Sequence, residues 1–215
     1  MEHGKLFSPH KAGVLEDEAR LAMLSEHTLR RLLDLTGTED IADLGSGTGF
    51  YTNRVAAWTT GTVYGVELQP EMQRLHQAKA IPANVRLVLS DIEDLPLPPA
   101  SLDRALSINT FHETHGRSGL ERLARVLRPQ GRFVIVDWRR TEEAADRGPS
   151  LKFRLASGEV EAVLAPPVLA YSYRGGQPLA RGLHGGVALI PIGVYDKVVC
   201  GTTEHREGRR RDGSC

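Results

Sequence analysis

Ile41-Ala42-Asp43-Leu44-Gly45-Ser46-Gly47-Thr48-Gly49 decides the fold of this chain. It reads as a short buried strand that breaks into a loop with glycine at every second position. The segment Phe50 to Thr60 follows with helical spacing. Glycines at such a turn take positive φ and let a ligand approach where a Cβ would collide. The following helix offers free N–H groups at its N-terminus, a seat for an anion. A second strand, Thr62-Val63-Tyr64-Gly65-Val66-Glu67-Leu68, ends in an acid. Glu67 stands about 20 residues beyond the glycines, where a carboxylate accepts from both hydroxyls of a ribose. The pattern implies an adenosine-containing ligand.

Spacing separates the candidate ligands. The dinucleotide fingerprint G-x-G-x-x-G needs its last glycine where Phe50 stands, but the third glycine here is Gly49. The pattern Asp43-x-Gly45-x-Gly47-x-Gly49 resembles the first motif of the class I S-adenosylmethionine-dependent methyltransferases. Asp43 suits that ligand, whose methionine ammonium a carboxylate attracts, whereas a pyrophosphate would be repelled. A purely structural glycine turn in another α/β protein is the bland alternative.

A chain of 215 residues is enough for one well-buried core. Lys+Arg 27 balance Asp+Glu 27, so the total charge favours neither nucleic acid nor an anionic membrane as partner. No apolar run is long enough to insert in a bilayer, and Met1 to Lys5 lacks the apolar core of a signal peptide. Cys200 and Cys215 are the only cysteines. They form no disulfide framework or metal-ligand spacing, so a cytoplasmic location is expected.

Helix and strand alternate along the chain. Leu21, Leu24, Leu29, Leu32, Leu33 and Leu35 predict one or two amphipathic helices over 16–36. Strands are expected at 41–46, 62–68, 85–89, 103–109 and 133–137, and helices at 50–60, 70–80 and 119–127, the last stopped by Arg128-Pro129-Gln130-Gly131. This order implies an α/β, Rossmann-like doubly wound, mostly parallel sheet with helices on both faces.

Ligands of such sheets sit beyond the carboxyl ends of the strands, so the residues after each strand carry the chemistry. Asp91 and Ile92, after the third strand, resemble the family's adenine-binding pair, an acid for the amino group and an apolar residue on the ring. Asp91 capping the next turn is the alternative. Asn109, after the fourth strand, corresponds to the stretch beneath the methionine end of the cofactor. His112 is the candidate general base, because imidazole titrates near neutrality; local packing alone is the alternative. A solvated loop accounts for Glu113 and His115.

The resemblance narrows to the methyltransferase-domain (type 11) and ubiquinone/menaquinone-biosynthesis branch. It rests on the cofactor loop together with His3, Phe7, Lys11, Leu15 and Arg20, Phe111-His112-Glu113, Val136-Asp137-Trp138, Gly148-Pro149-Ser150 and Arg154-Leu155. It implies S-adenosyl-L-methionine as cofactor, held by Asp43, Gly45, Ser46, Gly47, Gly49, Glu67, Leu68, Asp91, Ile92 and Asn109, and direct in-line transfer to a small-molecule acceptor. No metal is expected. The expected organisation is an N-terminal helical segment, 1–40, covering the site, then a methyltransferase domain over 41–203 with its core at 41–165. The C-terminal part is divergent: a helix at 157–164 and strands at 168–173, 187–192 and 197–200 carry weak signals, and 204–215 reads as a disordered tail. A catalytically silent cofactor-binding protein and a dinucleotide-dependent oxidoreductase are the alternatives. The acceptor and the oligomeric state are not legible in the sequence.

Overall fold

Strands whose residues are apolar on both sides must be covered on both sides, and the computed structural model shows how. It describes residues 6–114, 117–138, 140, 148–154 and 192–196. The strands are β1 (Ile41–Leu44), β2 (Val63–Glu67), β3 (Val85–Leu89), β4 (Leu102–Ile108), β5 (Leu127–Val136) and β6 (Ile192–Asp196). They form one sheet in the order β3-β2-β1-β4-β5-β6. The first five strands are parallel, and β6 runs antiparallel to β5, with Val136 opposite Ile192 and Arg132 opposite Asp196.

The helices are α1 (Arg20–Met23), α2 (Glu26–Leu33), α3 (Phe50–Ala56), α4 (Pro70–Gln77) and α5 (Arg117–Val126). Alternation along each strand divides the core. Ala42, Leu44, Ala105, Phe133 and Ile135 pack with Leu123 and Val126 of α5. Ile41, Leu106, Ile108, Val134 and Val136 pack on the other face with Leu29 and Leu33 of α2 and Phe50 and Val55 of α3. The chain moves one way across the sheet from β1 to β2 and the other way from β4 to β5. Crossovers of one hand therefore put α3 and α5 on opposite faces, and a crevice opens between β1 and β4 where the direction reverses.

The expected order of elements holds, with corrected boundaries. The leucine-rich N-terminal region is two short helices, α1 and α2, preceded by a 3-10 segment over Pro9–Glu16 that periodicity did not signal. Ser25 caps α2 by accepting from Thr28 N at 3.2 Å, which separates α2 from α1. Residues 128–131 are not a turn ahead of β5 but an irregular part of it. Leu102 pairs with Leu127 while Arg104 pairs with Arg132, and Gln130 takes φ 65° to close the bulge. Of the expected C-terminal elements, the helix at 157–164, the strands at 168–173 and 197–200 and the tail at 204–215 lie outside the described residues. The strand expected at 187–192 overlaps the described β6 only at Ile192, since β6 continues to Asp196.

Candidate active site

The loop after β1 turns on three left-handed glycines, Gly45 (φ 77°), Gly47 (φ 55°) and Gly49 (φ 82°). They serve different neighbours. A Cβ at Gly45 would overlap the Thr110 side chain, and one at Gly49 would overlap the His76 ring. At those two positions the fold itself fills the space that a ligand was expected to need. A Cβ at Gly47 would meet Leu15 Cδ1 at 3.4 Å, an ordinary contact. Gly47 is therefore where the loop leaves room for close approach.

Asp43 and Glu67 brace this loop from below. Thr52 Oγ1 donates to Asp43 Oδ2 at 2.6 Å. Burial pushes the Asp43 acid up to about 6, with Thr52 and Arg20 opposing and Glu67 adding to the rise. Glu67 accepts from Gly47 N and from Gln69 N, each at 2.8 Å. Burial still holds its acid above the ordinary value, against those backbone donors. Leu68, the next residue, is 45% exposed, an apolar surface beside a buried carboxylate. Asp91 is exposed and caps the turn at Ile92–Asp94, accepting from Glu93 N at 2.9 Å through Oδ1. The capping alternative is thus realised, using one of its two oxygens. Ile92 is half-buried against the core. Asn109 is left-handed at φ 57° and donates its N–H to Val136 O at 2.7 Å.

Beyond Asn109, His112 meets a partner from the neighbouring strand. Its Nδ1 lies 2.7 Å from Asp137 Oδ1, and its backbone N–H donates to Asp137 Oδ2 at 2.9 Å. Asp137 is 1% exposed and also accepts from Trp138 N at 2.6 Å. Burial lowers the His112 imidazole, but the hydrogen bond and charge of Asp137, with the charge of Glu113, outweigh it and raise it overall. Glu113 is not on a solvated loop: its side chain is 14% exposed and its Oε1 lies 4.0 Å from His112 Nε2. Burial pushes Glu113 up to about 7; His112 and the Phe7 N–H oppose the rise, and Asp137 and Glu67 add to it. His115 lies outside the described residues. Neither Asp137 nor Glu113 was readable as a partner from spacing, because only the register of β4 and β5 brings 112 and 137 together.

The N-terminal segment runs over this loop. Phe7 donates its N–H to the Glu113 carboxylate and accepts from Gln69 Nε2 at 3.0 Å. Glu16 binds both Thr48 Oγ1 and Lys79 Nζ, and Lys79 Nζ also donates to Thr48 O at 2.7 Å.

The residues fit the cofactor that the motif implies. Among the described residues, Ser46 Oγ and Asn109 Oδ1 are buried and without a hydrogen-bond partner, one on each side of the crevice. The carboxylates of Asp43, Glu67 and Glu113 are all pushed upward there, which favours a ligand carrying positive charge. Among the described residues no cluster of His, Cys, Asp and Glu could hold a metal, and no helix is long and apolar enough to cross a membrane.

Comparison with known proteins agrees with the fold and the motif. A methyltransferase domain family matches residues 42–135. The O-methyltransferase cnsE of Penicillium expansum is 36% identical over 104 residues, 46% of this chain and 38% of that protein. The demethylmenaquinone methyltransferase of Tropheryma whipplei is 32% identical over 111 residues, 50% of this chain and 45% of that protein. These matches thus span less than half of either relative's length. The crystal structure of a SAM-dependent methyltransferase from Aquifex aeolicus superposes with a TM-score of 0.75 at 27% identity, over 90% of this chain and 100% of that one. Residues 42–135 thus match a methyltransferase domain, and in fold and motif the chain is similar to S-adenosylmethionine-dependent methyltransferases.

Proposed function

We propose that the protein transfers the methyl group of S-adenosylmethionine to a small-molecule acceptor by direct in-line displacement. The observation that carries this reading is the set of buried acids, Asp43, Glu67 and Glu113, all raised by burial at one end of the sheet. A cationic ligand relieves that unfavourable charge, and a pyrophosphate would add to it. The demethylmenaquinone methyltransferase among the relatives supports a small acceptor.

In this reading Asp43, Ser46 and the Gly45, Gly47 and Gly49 turn hold the methionine end, with Asn109 beside it. Glu67 takes the ribose, while Leu68, Asp91 and Ile92 hold the adenine. S-adenosylmethionine supplies a methyl group already activated by its sulfonium, so the protein has mainly to align the acceptor and exclude water. The N-terminal segment covers the site through Phe7 and Glu16, and His112 is the general base.

Calorimetric titration with S-adenosylhomocysteine, with NADH as control, tests the proposal. Saturable binding of the first alone is expected. Binding of NADH alone would replace the reading with an oxidoreductase, and binding of S-adenosylhomocysteine without turnover on any acceptor would favour a silent binding protein.

A further inference from the structure

The carboxyl ends of β4 and β5 hold a group of side chains that cofactor binding does not use. Asp137 is an acceptor on three sides, taking His112 N, His112 Nδ1 and Trp138 N. An ionised carboxylate only accepts, so the proton of a neutral His112 sits on Nδ1 and the lone pair on Nε2 faces away from Asp137. On that other side stands Glu113 Oε1, 4.0 Å from Nε2. The gap is too long for a direct hydrogen bond and too short to be indifferent. An oxygen at about 2.8 Å from both atoms bridges it with an angle of about 90° at that oxygen. The side chains are 7% and 14% exposed, so bulk water is largely kept from both.

We propose that the gap between His112 Nε2 and Glu113 Oε1 seats the reacting hydroxyl of the acceptor, with Asp137 as the positioning residue behind His112. The inference rests on the methyl-transfer reading and names its acceptor class, a phenol or enol. Unactivated alcohols are excluded because their protons are held far too tightly for imidazole, and base catalysis works when donor and base are matched. The step balances without a further reactant. The hydroxyl proton passes to His112 Nε2 while the oxygen–methyl bond forms. The methyl–sulfur bond breaks with its electron pair going to sulfur, and the imidazolium later releases its proton to solvent.

The surrounding charges fit this use. The groups facing the pair are Asp137 from the end of β5, Glu67 from the end of β2 and the Phe7 N–H from the N-terminal segment. Burial pushes Glu113 up to about 7, the Asp137 carboxylate raises His112, and two groups this close titrate as a pair. In the form with one proton, the pair offers the hydroxyl an acceptor at Nε2 and a donor at the Glu113 carboxyl.

The test uses the full chain saturated with S-adenosylhomocysteine, so that nothing turns over. Phenol, and toluene as the hydroxyl-free control, are titrated in while the His112 imidazole nitrogens are followed by NMR. Phenol is expected to shift the Nε2 resonance and toluene to leave it in place. Asp137→Asn is expected to move the imidazole proton from Nδ1 to Nε2 and abolish the phenol shift. Glu113→Gln, which keeps a donor, is expected to retain the phenol shift while removing the second titration step. S-adenosylhomocysteine affinity is measured for each variant alongside, so that loss of the cofactor is told apart from loss of the seat. Equal responses to phenol and toluene in a protein that binds S-adenosylhomocysteine would overturn the seat, and an unchanged tautomer in folded Asp137→Asn would overturn the role of Asp137. If Asp137→Asn does not fold, the wild-type comparison and Glu113→Gln still decide the matter. Failure to bind S-adenosylhomocysteine would overturn the methyl-transfer reading, and this inference with it.

Discussion

Replacing Asp43 with Asn should make the protein more stable at neutral pH and less able to hold its cofactor. The Asp43 carboxylate is 3% exposed and has Thr52 Oγ1 as its side-chain donor at 2.6 Å. Burial raises its acid from the ordinary 3.8 to about 6, so the folded protein holds this proton more tightly than the unfolded chain does. Between those two values the native state carries more protons, and stability falls as pH rises. A shift of about two units corresponds to about 3 kcal/mol of stability, fully present below pH 4 and lost as pH rises through 6. Asn is nearly isosteric, neutral at every pH, and its Oδ1 accepts the Thr52 hydroxyl. Its amide N–H₂ lacks a partner in that pocket and takes back about 1 kcal/mol. The variant should therefore be about 2 kcal/mol more stable than wild type at pH 8 and about 1 kcal/mol less stable at pH 4. Urea denaturation of both proteins at several pH values measures this, with S-adenosylhomocysteine titrations alongside. A stability difference that does not vary with pH would refute the burial argument. A stabilised variant with unchanged cofactor affinity would refute the placement of Asp43 beside the methionine end.

Glu67→Gln should weaken S-adenosylhomocysteine binding more than tenfold, because the amide presents an N–H₂ to Gly47 N or Gln69 N, where the carboxylate accepted from both; affinity within twofold by calorimetry would sink the ribose assignment. Gly49→Ala should destabilise the fold by about 2–4 kcal/mol in urea melts, since its Cβ overlaps the His76 ring at a φ of 82° and both strain and overpacking oppose it. An Ala variant as stable as wild type would mean that the loop is not seated on α4. Glu39→Gln should cost about 3 kcal/mol at neutral pH. Burial favours the neutral acid, but the hydrogen bonds from Thr36 and Gly37 outweigh it and lower Glu39 from 4.5 to about 2; that stability is present above pH 4.5 and lost as pH falls toward 2, so a wild-type acid limb matching that of the variant would count against it. Near pH 6, binding of S-adenosylmethionine should release protons, detected as a dependence of calorimetric heat on buffer ionisation enthalpy, because a cation beside Asp43 lowers its acid. Proton uptake would contradict the assignment.

What the sequence made legible follows from range. The β1 loop is local: strand, glycines and helix lie within sixteen residues, Ile41 to Ala56, and backbone sterics alone fix the turn. The places of Glu67, Leu68, Asp91 and Ile92 were readable because each lies at or just beyond the carboxyl end of a parallel strand, where position along the chain gives position in space. The partners were not readable. His112 with Asp137, and Phe7 with Gln69 and Glu113, join residues separated by two or more whole elements, so only the tertiary arrangement decides whether they meet. The glycines were read correctly as a turn but partly for the wrong reason. Nothing local shows that Thr110 and His76 come to fill the space over Gly45 and Gly49. The bulge at 128–131 was missed for a related reason, since Pro129 and Gly131 read as a stop wherever they fall.

The two ends of the sheet treat the same residue type in opposite ways, and that contrast locates the function. At the amino-terminal end, Glu39 accepts backbone N–H groups from Thr36, Gly37 and Thr38, and Asp40 and Asp103 share Arg128 at 3.0 and 2.5 Å. Charge there is satisfied on folding and supports the strand ends. At the carboxyl-terminal end, Asp43, Glu67 and Glu113 remain harder to ionise than in water, despite Thr52, two backbone donors and the Phe7 N–H. A sequence selected for stability alone would place neutral residues at those three positions. Keeping acids where they oppose folding is explained by a ligand that completes them with positive charge or hydrogen-bond donors. In the proposed reading the methionine ammonium answers Asp43 and the ribose hydroxyls donate to Glu67, while Glu113, with His112 between it and Asp137, is left to meet the acceptor. The cost of these buried acids to the fold and the proposed choice of cofactor thus have one electrostatic cause.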